Sequence, residues 1–219
     1  MRNFFSNVQI NGLVYGSPLK SHSDKVQKKG KALTAFLLDP MAQEQFMNRP
    51  FPKNDSDCTK KELVELYGRT SSLTDEELDF AIRAEKNHFK EWSRFCMERG
   101  MIVHEYFFKE MEANTDGLLY FLKIHYNRPR PFQLGLHINI PVEPTANHGA
   151  NSAAYPSGHA FDAKLISLVL SRKYPSFAQD FEEFADRIAN SRLDLGVHYP
   201  SDNAFGQDLA KWVFSKELY

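Results

Sequence analysis

The sequence has little of three features that would each define a class of protein. Among its 219 residues there are only two cysteines, Cys58 and Cys96, which is too few for a disulfide framework. The longest strongly apolar runs, 118–122 and 165–170, are far shorter than the roughly 20 residues that a membrane-spanning helix needs. An excess of one charge is also lacking, since 27 Lys and Arg face 28 Asp and Glu. These absences argue against a disulfide-stapled protein, an integral membrane protein and a nucleic-acid binder that relies on overall positive charge.

The N-terminal segment MRNFFSNVQINGLVYG has no continuous apolar stretch and no small-residue cleavage site of the secretory type. We therefore expect a soluble, cytoplasmic protein without integral membrane association and without a nucleic-acid partner. What the sequence does have is aromatic residues, with 18 Phe and 9 Tyr. They predict a core built from large rings, and an aromatic surface of this kind is compatible with a homodimer.

Apolar residues recur with helical spacing from about residue 60 onward, whereas the first sixty residues show an irregular pattern. Thr74 and Glu77 form a capping-box sequence before a long amphipathic stripe that Gly100 ends. Two further helices are predicted at 102–111 and 117–126. Prolines forbid a continuous helix between about 128 and 156, after which the helical spacing resumes. No segment shows a convincing period of two, so we predict an all-α domain over 60–219, with 1–59 as an N-terminal extension packing on it.

Three ionisable residues lie on apolar helix stripes, where the side chain should be buried. Lys123 and Arg192 each follow an apolar stripe residue by four positions, and Asp202 precedes Phe205 by three. A buried charge needs a partner. The residues alone leave two interpretations open: an internal salt bridge, for instance Arg192 with Asp202, or a bound anion.

The loops between these helices add groups that suit an anion. The segment 128–131, Arg-Pro-Arg-Pro, places guanidinium groups just after a helix end, and guanidinium binds phosphate oxygens in bidentate fashion. The segment 156–159, Pro-Ser-Gly-His, precedes a helix whose N-terminal amides favour an anion. His198 lies in a turn with Asp202 four residues later, where the carboxylate could fix the imidazole tautomer. Together these groups predict a phosphoryl-transfer site that uses histidine chemistry.

Three motifs in order make the sequence resemble the type 2 phosphatidic acid phosphatase (PAP2) superfamily, which includes bacterial class A acid phosphatases and vanadium-dependent haloperoxidases. The family pattern is K-x6-R-P, P-S-G-H and S-R-x5-H-x3-D. Here it is carried by 123–131, 156–159 and 191–202, with every motif position and internal spacing in agreement. The resemblance implies an all-α helical bundle of the acid phosphatase and haloperoxidase type, and a soluble phosphatase that acts on phosphomonoesters or diphosphates.

The resemblance also implies a role for each matching residue. His198 would be the nucleophile that forms a phosphohistidine, Asp202 would fix its tautomer, and His159 would be the general acid and then the base. No metal and no cofactor are implied, vanadate would inhibit, and the partner would be a small phosphorylated substrate. The implied phosphate-binding residues are Lys123, Arg130, Ser157, Gly158 and Arg192.

Two other functions stay open at this point. A vanadium-dependent haloperoxidase would bind vanadate as a cofactor in the same constellation, although such chains are typically longer. A non-catalytic module that binds phosphate or a lipid headgroup would need only the cations. Among single residues, Arg128 is interpreted first as a surface residue, with a cation at the substrate rim as the alternative. His88 is interpreted as a packing or surface residue. Asp162 either orients His159 or favours the helix N-terminus, and other acidic residues are expected to lie largely away from the cations.

Overall fold

The computed structural model describes residues 10–144 and 150–219, and its regular secondary structure there is helical throughout. The all-α prediction is confirmed for this part of the chain. The helices are α1 (Lys20–Lys28), α2 (Gly30–Leu37), α3 (Pro40–Met47), α4 (Asp57–Ser72), α5 (Asp75–Met97), α6 (Glu105–Tyr126), α7 (Pro131–Gly135), α8 (Gly158–Lys173), α9 (Ala178–Asp194) and α10 (Pro200–Ser215), with a short 3₁₀ turn at Pro175–Phe177 before α9.

Helix α8 packs against both α9 and α10, and α5 packs on α9. The core is aromatic, as the composition predicts. Its largest fully buried side chains include Trp92, Phe161, Phe181 and Phe205. The rings meet mostly edge to face, as Trp92 and Phe184 do with centroids 4.9 Å apart. The buried rings fix how α5, α8, α9 and α10 lie relative to one another, and these helices carry most of the site.

Helix α5 begins where the capping-box sequence places it. Thr74 accepts a hydrogen bond from the Glu77 amide, and the Glu77 carboxylate accepts one from the Thr74 amide in return. The predicted stripe is buried at Phe89, Trp92 and Cys96, and the helix ends at Met97, before Gly100 with its φ of +73°. A negatively charged first turn adds to the stability of this helix start.

Two expectations about local structure are wrong. The predicted helices 102–111 and 117–126 are one helix, α6, and Gly117 lies in its interior. A Cβ at Gly117 would stand 2.2 Å from the carbonyl oxygen of Lys29, so the glycine serves close packing against the α1–α2 junction and does not break the helix. Residues 20–47 are also more regular than their pattern indicates. Helices α1 to α3 lie there, and with only eight or nine residues each they are too short to show a clear period.

These short helices pack on the rest of the bundle. Phe36 and Phe46 are fully buried in the same apolar cluster as Phe205 and Leu209 of α10. Trp212, which is partly buried, covers both phenylalanines with edge-to-face contacts. The described part of the N-terminal segment therefore closes one side of the core.

Candidate active site

His198 and Asp202 form a buried pair at the start of α10. His198 Nδ1 lies 3.0 Å from Asp202 Oδ2, and His198 Nε2 lies 2.8 Å from a guanidinium nitrogen of Arg130. A guanidinium can only donate, so Nε2 must accept and the proton of the neutral ring must be on Nδ1. Asp202 thus fixes the tautomer that leaves an unprotonated Nε2 facing the cations, which is the form that a nucleophilic histidine requires.

The surroundings of His198 keep its ring uncharged. Burial lowers the pKa of His198 well below its ordinary value, and the positive charges of Arg130 and Lys123 lower it further. The ring is therefore neutral at physiological pH. A neutral imidazole retains the lone pair needed for attack on an electrophile.

Arg128 lies behind this pair, and its interpretation as a surface residue is wrong. The residue is only 1% exposed, and its guanidinium donates to Asp202 Oδ1 at 2.6 Å and to Glu62 Oε2 at 3.1 Å. The same guanidinium stacks over the ring of Tyr199, with its carbon 3.8 Å from the centroid. Arg128 is buried because two carboxylates, one of them on the distant helix α4, compensate its charge.

Lys123 and Arg130 have buried charges whose hydrogen bonds go to neutral carbonyl groups. Lys123 Nζ donates to the Ala153 carbonyl at 2.8 Å, and Arg130 donates to the carbonyls of Ser152 and Val197 at 2.8 and 2.7 Å. Within the described ranges, neither forms an ion pair with a carboxylate. Two cations without carboxylate partners leave a positive site for an anion.

Burial also affects how these cations titrate. It lowers the pKa of Arg130 to about 10, so the guanidinium still carries its charge at neutral pH. The pKa of Lys123 is lowered well below its ordinary value by burial and by the charge of Arg130. An anion bound between them would stabilise the protonated form of Lys123, so that ligand binding and lysine protonation are coupled.

Arg192, on α9, has a different partner from the one that the residues suggest. Its guanidinium forms a close ion pair with Glu85 of α5, while Asp202 is engaged by Arg128 and His198. The Arg192–Asp202 salt bridge considered from the sequence is therefore wrong. Burial lowers the pKa of Arg192 to about 9, so it too remains charged at neutral pH.

His159 and its neighbours stand at the N-terminus of α8. Ser157 is the N-cap residue, and its hydroxyl oxygen accepts from the Ala160 amide at 3.4 Å. Among the described residues, no side chain or backbone group forms a hydrogen bond with the buried Nε2 of His159. Burial lowers the pKa of His159 well below its ordinary value, and nearby positive charges lower it further. The ring therefore has one nitrogen ready for a ligand.

One cavity of about 130 Å³ unites most of the predicted site. Asp202 lies behind His198 and Ser157 caps α8, so neither is on the cavity wall. The other six predicted residues line it: Lys123, Arg130, Gly158, His159, Arg192 and His198.

Part of the wall of this cavity is acidic. Glu112, Asp116 and Asp162 line it, so the expectation that acidic residues lie largely away from the cations is wrong. Asp116 is paired with Lys25 at 2.7 Å. Burial raises the pKa of Asp162 well above its ordinary value, with Asp116 adding to the effect. The helical spacing of 112, 116 and 120 on α6 brings these positions to the same cavity as Lys123.

Glu112 gives a pH-dependent test of this wall. Burial raises the pKa of Glu112 to about 7, and Asp162 and Asp116 contribute. In the unfolded chain the pKa of this carboxyl group is about 4.3. At a pH between about 4.3 and 7, Glu112 is therefore protonated in the folded state and ionised in the unfolded state. Stability therefore falls as pH rises through this window. We expect Glu112→Gln to be more stable than the wild type by about 1–2 kcal/mol at pH 8, with the difference gone near pH 4.

Urea unfolding of both proteins at the two pH values measures this difference. Glu110→Gln, at an exposed position on the same helix, is the matched control and should change stability little at either pH. An equal effect of Glu112→Gln at both pH values would contradict a buried, protonated Glu112.

Gly158 leaves space where a phosphate would lie. A Cβ at Gly158 would meet no atom within 4 Å, although the residue lines the cavity. We expect Gly158→Ala to fold with unchanged stability and to bind inorganic phosphate about 10- to 100-fold more weakly, because the methyl group enters the ligand space. Gly206→Ala is the contrasting variant. Its Cβ would stand 2.5 Å from the Ser157 carbonyl oxygen, so it should lower the melting temperature. Equal phosphate affinity of Gly158→Ala and the wild type would place the anion elsewhere.

Neither a metal-binding cluster nor a membrane-spanning helix is found among residues 10–144 and 150–219. These residues contain no cluster of three or more His, Cys, Asp or Glu side chains that could hold a metal ion. None of the helices in these ranges combines the length and the hydropathy needed to cross a bilayer.

Comparison with known proteins identifies the segment that carries the site. A family model described as the PAP2 superfamily matches residues 110–214. Just under half of the chain is thus similar to the PAP2 superfamily. The matched segment runs from α6 to α10 and contains all three motifs, so the resemblance drawn from the spacing is confirmed.

Two curated relatives of the chain are named as phosphatases. Non-specific acid phosphatases of Salmonella typhi and of Salmonella typhimurium strain LT2 are each 33% identical over 94 residues. The match covers 43% of this chain and 37% of each relative, so the chain matches well under half the length of these enzymes.

A solved structure shares the fold. The crystal structure of a bacterial vanadium-dependent iodoperoxidase superposes with a TM-score of 0.56, over 77% of this chain and 51% of that one. Sequence identity over the match is 20%, so this likeness concerns the fold. It places the helical bundle in the acid phosphatase and haloperoxidase type, as predicted.

Two charged residues of the site, Glu85 and Glu62, were not found from the sequence although both carried a signal, and a third, Arg128, was found but misplaced. Glu85 lies three residues after Ile82 and four before Phe89, on the apolar stripe of α5, and Glu62 lies four before the buried Leu66. The search for charged residues on apolar helix stripes, which identified Lys123 and Arg192, would have identified both glutamates. Arg128 lies in a loop without a period, so only the tertiary structure reveals its burial.

Proposed function

We propose that this protein is a phosphatase that hydrolyses phosphomonoesters through a phosphohistidine on His198. One observation carries the proposal: the unprotonated Nε2 of His198, fixed by Asp202, faces Arg130 and shares a cavity with Lys123. A site that only bound phosphate would need the cations and would have no use for a tautomer-locked imidazole. The similarity to the PAP2 superfamily and the phosphatase relatives support the same conclusion.

In the first step the phosphate of the substrate enters between Lys123, Arg130 and Arg192, and its oxygens replace His198 as acceptors from Arg130. His198 Nε2 then attacks phosphorus, the N–P bond forms and the bond to the leaving oxygen breaks. The negative charge of the bound phosphate raises the pKa of His159, so the ring takes up a proton from solvent on substrate binding and then donates it to that oxygen, which departs as an alcohol. The positive charge that develops on the His198 ring is stabilised by Asp202 through Nδ1–H.

In the second step the same groups act in reverse order. His159, now unprotonated, removes a proton from water, and the hydroxide oxygen attacks the phosphorus of the phosphohistidine. The N–P bond breaks, inorganic phosphate forms and the neutral His198 is restored. The buried cations neutralise the phosphoryl oxygens in both steps, which is the electrostatic contribution that other phosphoryl-transfer enzymes obtain partly from Mg²⁺.

Turnover of p-nitrophenyl phosphate by the purified protein tests the proposal. We expect activity that persists in EDTA and that orthovanadate blocks, since vanadate resembles the phosphoryl transition state and would bind the same cations. Binding of inorganic phosphate without any turnover would instead support a non-catalytic module. Peroxide-dependent halide oxidation after vanadate loading would favour a haloperoxidase. Loss of phosphatase activity in EDTA, with recovery on adding a metal ion, would contradict the metal-independent mechanism.

A further inference from the structure

Helix α5 is interrupted next to the site. Asn87 has φ −167° and ψ +87°, which is extended backbone inside an otherwise helical segment. Its side-chain Oδ1 accepts a hydrogen bond from the Lys90 amide at 3.0 Å, and its Nδ2 donates to Glu105 at 2.9 Å. An Asn side chain that accepts from the amide three residues later is an N-cap. The second half of α5 therefore starts anew at Asn87, and this start fixes the kink.

The kink releases a backbone group toward His159. In a regular helix the Ala84 carbonyl would accept from the amide of His88. Extended backbone at Asn87 interrupts that turn, and the Ala84 backbone acts on the His159 ring, where it raises the pKa against the larger effect of burial. The Nε2 of this ring has no hydrogen-bond partner among the described residues, and His159 lines the cavity.

The same kink directs His88 onto His159. The two ring centroids are 4.5 Å apart with an interplanar angle of 48°, and His88 is 8% exposed. Asp162, one helical turn after His159 on α8, places its Oδ2 3.3 Å from His88 Nε2, within ion-pair distance although without hydrogen-bond geometry. The ring of His159 thus meets the His88 ring, and Asp162 lies on His88 from the same helix as His159. Both His88 and Asp162 also line the cavity.

We propose that the kinked segment Ala84–His88, together with Asp162, positions His159 to protonate the leaving group. This inference rests on the proposed function. His88 and Asp162 are positioning residues, because they act through His159. Burial lowers the pKa of His88 to about 4, so above about pH 5 the stacked ring adds no positive charge next to His159. The sequence interpretation of His88 as a packing or surface residue gives only part of its role.

Two substrates with different leaving groups separate positioning from a general loss of structure. The p-nitrophenolate anion leaves without a proton, whereas the alkoxide of an alkyl phosphate such as glycerol 2-phosphate needs one. The quantity to measure is kcat/KM, which reports the steps up to leaving-group departure. We expect His88→Phe, which keeps a ring, and Asp162→Asn to lose about 10- to 100-fold on the alkyl phosphate and less than about threefold on p-nitrophenyl phosphate.

The control variant is His104→Phe, which removes an exposed imidazole before α6 and should leave both values unchanged. Equal losses on the two substrates, or no loss on either, would overturn the positioning role while leaving the phosphatase proposal intact. A wild type without turnover of either substrate would overturn the proposed function and this inference with it. If His88→Phe does not fold, the substrate ratio of Asp162→Asn decides the question alone.

Discussion

Replacing His198 with alanine is expected to reduce kcat/KM for p-nitrophenyl phosphate by at least about 10⁴-fold. The variant lacks the nitrogen that attacks phosphorus, and within the cavity His159 is unsuited to replace it because proton transfer already occupies that ring in both steps. Steady-state hydrolysis measured with and without the substitution checks the effect. Alkaline quenching of the wild type during turnover should trap an acid-labile phosphoryl group that is missing from His198→Ala.

Two further variants test whether the loss of activity in His198→Ala comes from the missing nucleophile. Asp202→Asn should retain the nucleophile but lose about 10²- to 10⁴-fold, because an amide no longer favours the Nδ1–H tautomer or the developing charge. His125→Ala removes a histidine whose Nε2 lies 3.0 Å from the Met47 carbonyl, outside the cavity, and should keep activity within about twofold. Activity near wild type in a folded His198→Ala would exclude the phosphohistidine route.

Replacing Arg128 with methionine is expected to give the largest loss of stability, about 3–5 kcal/mol. The substitution preserves much of the side-chain volume but leaves the carboxylates of Asp202 and Glu62 without their buried cation. The whole free energy of unfolding of a domain is about 5–15 kcal/mol, so we expect the variant to populate the unfolded state measurably at 37 °C. Urea unfolding at 15 °C measures the difference under conditions where both proteins are folded.

Arg172→Met is the matched control, because it removes the same charge from an exposed pair. The Arg172 and Glu217 side chains are 51% and 73% exposed, and the loss should stay below about 1 kcal/mol. Arg128→Met/Glu62→Gln should recover part of the loss, since one of the two uncompensated carboxylates is then neutral. A cost below about 1 kcal/mol for Arg128→Met would show that Asp202 and Glu62 do not need Arg128 for their burial.

Helices with a long periodic pattern of apolar residues were predicted from the sequence, and short helices were not. Helix α5 spans 23 residues, with a cap and a complete stripe, and its start was predicted at the correct residue. Helices α1 to α3 have eight or nine residues each and were missed, because two turns do not establish a period. In α6 the sequence analysis misread Gly117. A glycine within a helix is read as a break, and only the adjacent Lys29 carbonyl shows that it permits close packing.

The site followed the same rule. Motif spacing placed Lys123, Arg130, His159 and His198 together, and these four residues share one cavity in the structure. Motif spacing did not predict the ion pairs between residues that are far apart in the sequence. The partner of Arg192 proved to be Glu85, 107 residues away, and that of Arg128 is Glu62, 66 residues away.

By itself, the sequence determined the all-α fold and the identity of the histidines and cations, because helical period and motif spacing are local properties of the chain. The tertiary structure decided which charges neutralise one another, which cations remain for an anion, and how the kink at Asn87 brings His88 onto His159. The physical reason is that the free energy of a buried charge depends on groups brought near it by folding, at separations along the chain that no local pattern encodes.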